Sequence, residues 1–282
     1  MDKSVHYDWC VNCIAYTDTK SEESTEEGKI AGYRLNALLP GYIAQACAEH
    51  GTRLIHISTD YVFSEHAVAS FPVAFCPWDT PFPKNQYGMH KLIGEMAIRN
   101  VMKEKDYAIL RTSWLYSTNN CKSFIHKFLK NCILKYNKAA DEKPVKVEVT
   151  SNEHSVPTSC RYLVECIDKA VRGKMRGVHH AVPNRGNGLA EGPSRYDFAA
   201  AILESIIKAG ISTELAQIFS GISLAPVENT GYYPKNSALC STTGIPGDWR
   251  QLLDDFICRN IKHIEDYCTR ILDGKLDVPG AA

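Results

Sequence analysis

Short apolar runs alternate with stretches of helical period, and that alternation constrains the fold more than any other feature of the chain. Trp9–Ala15, Arg53–Ser58 and Tyr107–Arg111 read as buried strands, while Glu22–His50, Tyr87–Val101 and Lys122–Tyr136 carry helical spacing. Strands joined through a helix run parallel, because the crossover returns the chain to the end of the sheet where it began. The expected class is therefore α/β, a parallel sheet flanked by helices. Ligands of such sheets bind beyond the carboxyl ends of the strands. The segments following two of the apolar runs, Ala15-Tyr16-Thr17 and Ser58-Thr59-Asp60-Tyr61, are thus the first candidates for a site.

Along the first helical stretch, Leu35, Leu38, Leu39, Ile43, Ala46 and Cys47 mark an apolar face. Breaks are expected near Gly28 and Gly32, a kink at Pro40 and a stop at Gly51. Ser64–Lys84 has no period and reads as a long loop of the kind that often covers a binding site. After Lys143 the pattern changes. Val145–Val149 and Gly177–Val182 are strand candidates, Pro157–Val171 contains a helix, and Asn184–Pro193 reads as loop. Ser194 is placed to cap a helix reaching about Ala209, and Gly247–Leu272 closes the chain as a last helix. The organisation expected is one unit over residues 1–143 and a smaller lobe over 144–282.

Composition narrows the function. Lys plus Arg equals 32 and so does Asp plus Glu, so no general attraction to nucleic acid or anionic lipid is expected. No apolar run reaches the ~18 residues of a membrane span, and the polar start lacks a signal-peptide core. A cytoplasmic protein is expected. The 11 cysteines are scattered through apolar stretches and read as small buried side chains. Cys10 and Cys13 form a C-x-x-C, but in a strand residues three apart face opposite ways, and no second pair completes a zinc site. No metal is implied. His179 and His180 are adjacent in a strand, so they do not make a paired site either.

The chemical signal is Tyr87-Gly88-Met89-His90-Lys91. Tyr and Lys four apart share one helix face. An ammonium beside a phenol favours the phenolate and lowers its pKa from ~10. A tyrosine tuned in this way exchanges a proton with a carbonyl or alcohol oxygen. Helices also hold such pairs by chance. Thr59, at the carboxyl end of its strand, adds a hydroxyl for the same oxygen; the plainer alternative is that Ser58 and Thr59 cap a turn.

Together with their flanks these segments resemble the dTDP-4-dehydrorhamnose reductase family, of the extended short-chain dehydrogenase/reductase superfamily. The resemblance rests on Val11–Thr17, Ile57–Phe63, Asn85–Glu95 and Leu110–Tyr116. Weaker echoes lie at Ser155–Thr158, Gly177–His180 and Pro234–Ser237. It implies a Rossmann-like domain with a C-terminal substrate-binding lobe. It also implies NADPH- or NADH-dependent reduction of the 4-keto group of a dTDP-linked 6-deoxyhexose, with this nucleotide sugar as partner and a homodimer as the oligomer allowed for. By motif match, Tyr87 would be the acid, Lys91 would tune it and bind the nicotinamide ribose, and Thr59 would orient the keto oxygen. Ala15, Tyr16 and Thr17 would line the cofactor. Asp60, Tyr61 and Trp114 would touch the sugar, and Asn236 would lie near the diphosphate. As a lone tryptophan Trp114 also reads as a core or lid aromatic.

One part of the family pattern is missing. The family opens with a strand and a G-x-x-G-x-x-G turn that seats the cofactor pyrophosphate on a helix N-terminus. The first strand here corresponds to the fourth, so a βαβαβ stretch on the order of 50 residues is expected to be lacking, leaving an incomplete sheet with an exposed edge. A shortened product, an inactive descendant and a sheet completed by another chain each account for this; shortening is the favoured reading. Tyr233 stands where the family has arginine. A second function is the non-catalytic beta subunit of methionine adenosyltransferase, which is similar to the same family and would have the catalytic subunit as partner. Arg111-Thr112-Ser113-Trp114 reads as the reductase form.

Overall fold

The computed structural model describes residues 6–64, 74–118, 123–139, 143–186 and 192–275. Part of the long loop (65–73), part of the Asn184–Pro193 loop (187–191), Lys122 at the start of a predicted helix and the first residues of the polar leader lie outside these ranges.

The elements run β1 (Trp9–Asn12), α1 (Thr19–Ser24), α2 (Glu26–Gly32), a π-helical turn (Tyr33–Leu38), α3 (Leu39–Glu49), β2 (Arg53–Thr59), α4 (Gln86–Val101) and β3 (Tyr107–Thr112). They continue with β4 (Leu115–Tyr116), α5 (Phe124–Lys138), β5 (Val145–Thr150), β6 (Thr158–Ser159), α6 (Cys160–Val171) and β7 (Gly177–His180). The last are α7 (Arg195–Lys208), α8 (Thr213–Ser220), β8 (Ile222–Val227) and α9 (Trp249–Leu272). Short 3-10 turns follow β2 and precede β3.

The main sheet has the order β1-β2-β3-β7, and every pair is parallel, as the alternating pattern requires. Its last strand comes from the second half of the chain. Successive side chains of β2 and β3 point to opposite faces. Ile55, Ala108 and Leu110 pack beneath α6 with Tyr162, Leu163 and Cys166. Leu54 and Ile109 pack against α3 and α4 with Ala44, Cys47 and Ile98. Each such aliphatic side chain removed from water contributes about 1.5–3 kcal/mol. A third and larger core joins Val62 and Phe63, just past β2, to Phe198, Ile202 and Leu253 of α7 and α9. Among the described residues β1 pairs on one side only, with Val11 41% and Ile14 53% exposed.

The first predicted helix is broken. Asp18 caps α1 and Thr25 caps α2. The π turn then inserts an extra residue before α3, which shifts the apolar phase and turns Leu38 outward at 36% exposure. Pro40 lies in the first turn of α3, directly after the π turn, and the helix runs on through it. Gly51, at φ +66°, follows the helix where the stop was expected. Ser194 caps α7 in a capping box with Asp197. β4, β6, α8 and β8 carry no strong sequence period and were not anticipated. Among the described residues no helix is long and apolar enough to cross a membrane, and no cluster of ligands suits a metal.

Candidate active site

β2 delivers Thr59 at its carboxyl end, and α4 delivers Tyr87 and Lys91 beside it. Asn85 caps α4 by accepting the Gly88 N–H at 2.8 Å. A Cβ on Gly88 would stand 2.0 Å from the Tyr61 carbonyl oxygen, and one on Gly94 would stand 2.3 Å from that of Asn36. Both glycines let the helix lie directly on the strand end and on the π turn, so the placement of Tyr87 and Lys91 is fixed by backbone contact.

Burial holds the Tyr87 phenol above its ordinary value, aided by nearby Asp60 and Glu22, while the Thr59 hydroxyl pulls it the other way. This differs from the expected depression: Lys91 is not among the groups acting on Tyr87. The lysine itself is only 1% exposed and its Nζ donates to the Ile57 carbonyl at 2.7 Å. Burial lowers its pKa to about 8, against the opposing pull of Glu95, Glu22 and Cys13.

Asp60, expected at the sugar, is 2% exposed. Its Oδ2 accepts from Ser155 Oγ at 2.7 Å and Ser237 Oγ at 2.6 Å, and its Oδ1 accepts from Thr59 Oγ1 at 3.1 Å. Tyr61 meets Tyr87 edge-on with ring centroids 5.9 Å apart, and Tyr233 at 6.3 Å. Tyr233 also hydrogen-bonds Thr19 Oγ1 at 3.2 Å, so the segment around it bridges back to α1 over the mouth of the site. Asn236 caps its own turn, accepting the Ala238 N–H at 3.0 Å next to Ser237.

Trp114 adopts φ 42°, the one non-glycine positive φ among the described residues. Such a conformation costs on the order of 1–3 kcal/mol and persists where its surroundings impose it. Here Ser113 Oγ donates to the Val156 carbonyl at 2.6 Å, and the Arg195 guanidinium lies 3.6 Å from the centre of the indole ring. Ala15 and Tyr16 are half-buried and Thr17 exposed at the end of β1. Asn36 fixes that turn by exchanging two hydrogen bonds with the Tyr16 backbone, at 2.9 and 3.0 Å.

Several polar groups under the site carry no motif. Glu95 accepts from Arg111 Nη2 at 2.7 Å and from Ser58 Oγ at 2.5 Å, and both ionic partners are buried. Glu22 accepts from His90 Nδ1 at 2.6 Å. Asn12, on β1, and His56, on β2, lie directly below Lys91 and contact it through His56 at 3.3 Å. The available signal was a histidine inside the apolar run Leu-Ile-His-Ile, where a polar residue on a buried face needs a partner. Cys10 and Cys13 are free thiols, with Cys13 exposed. His180 is buried and His179 is not, in keeping with opposite faces. A cavity of about 380 Å³ between β4, α6 and α9 does not include the trio.

A parallel sheet with a hydroxyl at one strand end, and Tyr and Lys four apart on the next helix, is the arrangement that the resemblance to short-chain dehydrogenases/reductases implies. The chain belongs to the RmlD substrate binding domain family, whose model matches residues 2–258. It is 34% identical over 203 residues to the dTDP-4-dehydrorhamnose reductase of Mycobacterium tuberculosis strain H37Rv; the match covers 71% of this chain and only 59% of that protein. It is 30% identical over 246 residues to the Escherichia coli dTDP-4-dehydrorhamnose reductase, covering 84% and 72%. Among solved structures, the Clostridium acetobutylicum dTDP-4-dehydrorhamnose reductase superposes with TM-score 0.70 at 26% identity, covering 89% of this chain and 80% of that one. The Bacillus anthracis enzyme, solved in complex with NADP, superposes with TM-score 0.68 at 25% identity over the same shares.

Proposed function

We propose that the chain is built for NAD(P)H-dependent reduction of the 4-keto group of a dTDP-linked 6-deoxyhexose. The observation that carries this is the convergence of Thr59, Tyr87 and Lys91 at one strand end, beneath a wall of Tyr61 and Tyr233. The relatives named as reductases, one of them with NADP bound, support it, and none of them favours a regulatory subunit of methionine adenosyltransferase.

The residues present fit the nicotinamide end of the cofactor. Lys91 and Tyr87 offer an amine and a phenol on one helix face, and the Ala15–Thr17 turn is rigidly held by Asn36. When bound, the cofactor supplies the hydride. The chain's own part is proton transfer: Tyr87, held as a phenol by partial burial, gives its proton to the keto oxygen that Thr59 orients. Asp60 holds Thr59 through its hydroxyl. Trp114 and Tyr61 bound the sugar, and Asn236 lies toward the diphosphate. Residues 1–143 carry the reactive side chains and 144–282 mainly close over them. No glycine-rich turn of the pyrophosphate-binding type occurs in the 282 residues, so the cradle for the rest of the cofactor is not supplied by them.

The test is incubation of the folded protein with NADPH and dTDP-4-dehydro-L-rhamnose. Oxidation of NADPH that disappears in Tyr87→Phe is expected. Undiminished turnover in that variant would overturn the reading.

A further inference from the structure

Two half-buried thiols from opposite halves of the chain stand side by side. Phe75 and Leu239 form a parallel β-bridge outside the named strands. The Phe75 N–H donates to the Ala238 carbonyl at 2.7 Å, and the Cys240 N–H donates to the Phe75 carbonyl at 2.8 Å. This register sets Cys76 opposite Cys240 at the next position. Side chains alternate along an extended backbone. Phe75 and Leu239 turn into the large core, which leaves Cys76 and Cys240 together on the outer side. Paired positions of neighbouring strands lie about 4.8 Å apart, inside the about 4.4–6.8 Å that a disulfide spans between Cα atoms.

The side-chain contacts agree with that register. The Cys240 thiol donates to the Ala74 carbonyl at 3.4 Å, on the strand that carries Cys76. Cys76 is held by a turn of its own. Its N–H donates to Asp79 Oδ2 at 2.6 Å, and the Asp79 N–H donates to its carbonyl at 3.0 Å. Burial, followed by the hydrogen bond and the field of the Cys240 sulfur, pushes the Cys76 thiol up to about 11, with Arg185 pulling the other way. Cys76 is therefore a slow first nucleophile. Other neighbouring thiols are shielded: Cys47, which hydrogen-bonds Cys10, is wholly buried, and so are Cys132 and Cys268.

We propose that Cys76 and Cys240 are a redox pair that closes to an intramolecular disulfide, joining the loop before α4 to the segment that bears Asn236 and Ser237. The oxidant is a small disulfide of the glutathione class. The Cys240 thiolate attacks one of its sulfurs, forming a mixed disulfide and releasing a small thiolate that takes up the proton Cys240 lost. Cys76 then gives up its proton and attacks the Cys240 sulfur. The mixed S–S bond breaks, and the second small thiolate leaves and takes up that proton. Two protein thiols are oxidised, and one small disulfide is reduced to two thiols. Ser237, just before Cys240, donates to Asp60. The new bond thus tethers the joint beneath Thr59 to the chain that enters α4.

The test is exposure of the folded protein to oxidised glutathione, then proteolysis and mass spectrometry without reduction. A peptide pair linked through Cys76 and Cys240 is expected, lighter by about 2 Da than its two halves, and dithiothreitol should separate it. In Cys76→Ser the mixed disulfide on Cys240 should persist; its absence would overturn the order of attack. The oxidised parent should need more urea to unfold than the reduced parent, because the bond closes a long loop of the unfolded chain. Links formed only elsewhere, such as Cys10–Cys13 or Cys10–Cys47, would overturn the proposal. So would separate stable glutathione adducts on Cys76 and Cys240, or no reaction at either. A lower urea midpoint after oxidation would show that the fold does not hold the pair in bonding geometry.

Discussion

Ser237 Oγ donates to Asp60 Oδ2 at 2.6 Å, joining positions 177 residues apart in sequence. Ser155 reaches the same oxygen from a second segment of the C-terminal half. The carboxylate that orients Thr59 is therefore also the point where the two halves of the chain meet. Asp60→Ala strands both buried serine hydroxyls and should destabilise the protein by about 2–4 kcal/mol. Urea unfolding followed by tryptophan fluorescence checks this; a loss below about 0.5 kcal/mol would show that the bridge contributes little.

Asp60→Asn separates charge from shape. Burial raises the Asp60 pKa above its ordinary 3.8, with Ser237, Ser155 and Thr59 opposing. The folded state thus holds this proton more tightly than the unfolded chain does. Stability from this group is present below the unfolded value and is lost as pH rises through the raised folded value. Asparagine does not titrate and can still accept from one hydroxyl. Relative to the parent, Asp60→Asn should gain stability as pH rises from 3.8 through that window. A difference between the two proteins that stays flat with pH would refute the assignment.

Glu95 and Arg111 form a buried ion pair beneath Ser58. Removing one partner leaves an uncompensated charge, so Arg111→Met should cost about 3–5 kcal/mol. The double variant Glu95→Leu/Arg111→Met removes both charges and should recover much of that loss. Guanidinium unfolding of the two single variants and the double variant measures the coupling; simple additivity would argue against a direct pair.

The candidate site is legible in sequence because its parts are local. Ser58-Thr59-Asp60 closes an apolar run, and Tyr87 and Lys91 are separated by one helical turn. What escapes is set by contacts between distant segments. Asp60 could be read as a sugar ligand because nothing local reveals Ser155 and Ser237. The depression expected for Tyr87 assumed a charged lysine in water, whereas Lys91 is buried on Asn12 and His56. The break in the first helix lies at Thr25, whose extended backbone separates α1 from α2, and the π turn further along brings Asn36 to the Tyr16 backbone. The positive φ of Trp114 is accompanied by the Arg195 contact with its ring and by the bond of adjacent Ser113 to Val156, both to distant segments.

Cofactor affinity follows from which part of the cofactor these residues address. Under the proposed function, Tyr87, Lys91 and the Ala15–Thr17 turn would face the nicotinamide and its ribose, which carry less charge than the pyrophosphate. A pyrophosphate is held by backbone N–H groups at a glycine-rich helix N-terminus, where charge-assisted hydrogen bonds are strong. The turn following β1 instead carries Asp18, whose carboxylate already accepts the Ser21 N–H as the cap of α1, and an acidic group there repels an anion. NADPH should therefore bind the 282-residue chain weakly, with a dissociation constant above roughly 100 µM. Fluorescence titration checks this, and low-micromolar binding would show that these residues hold the cofactor by another route.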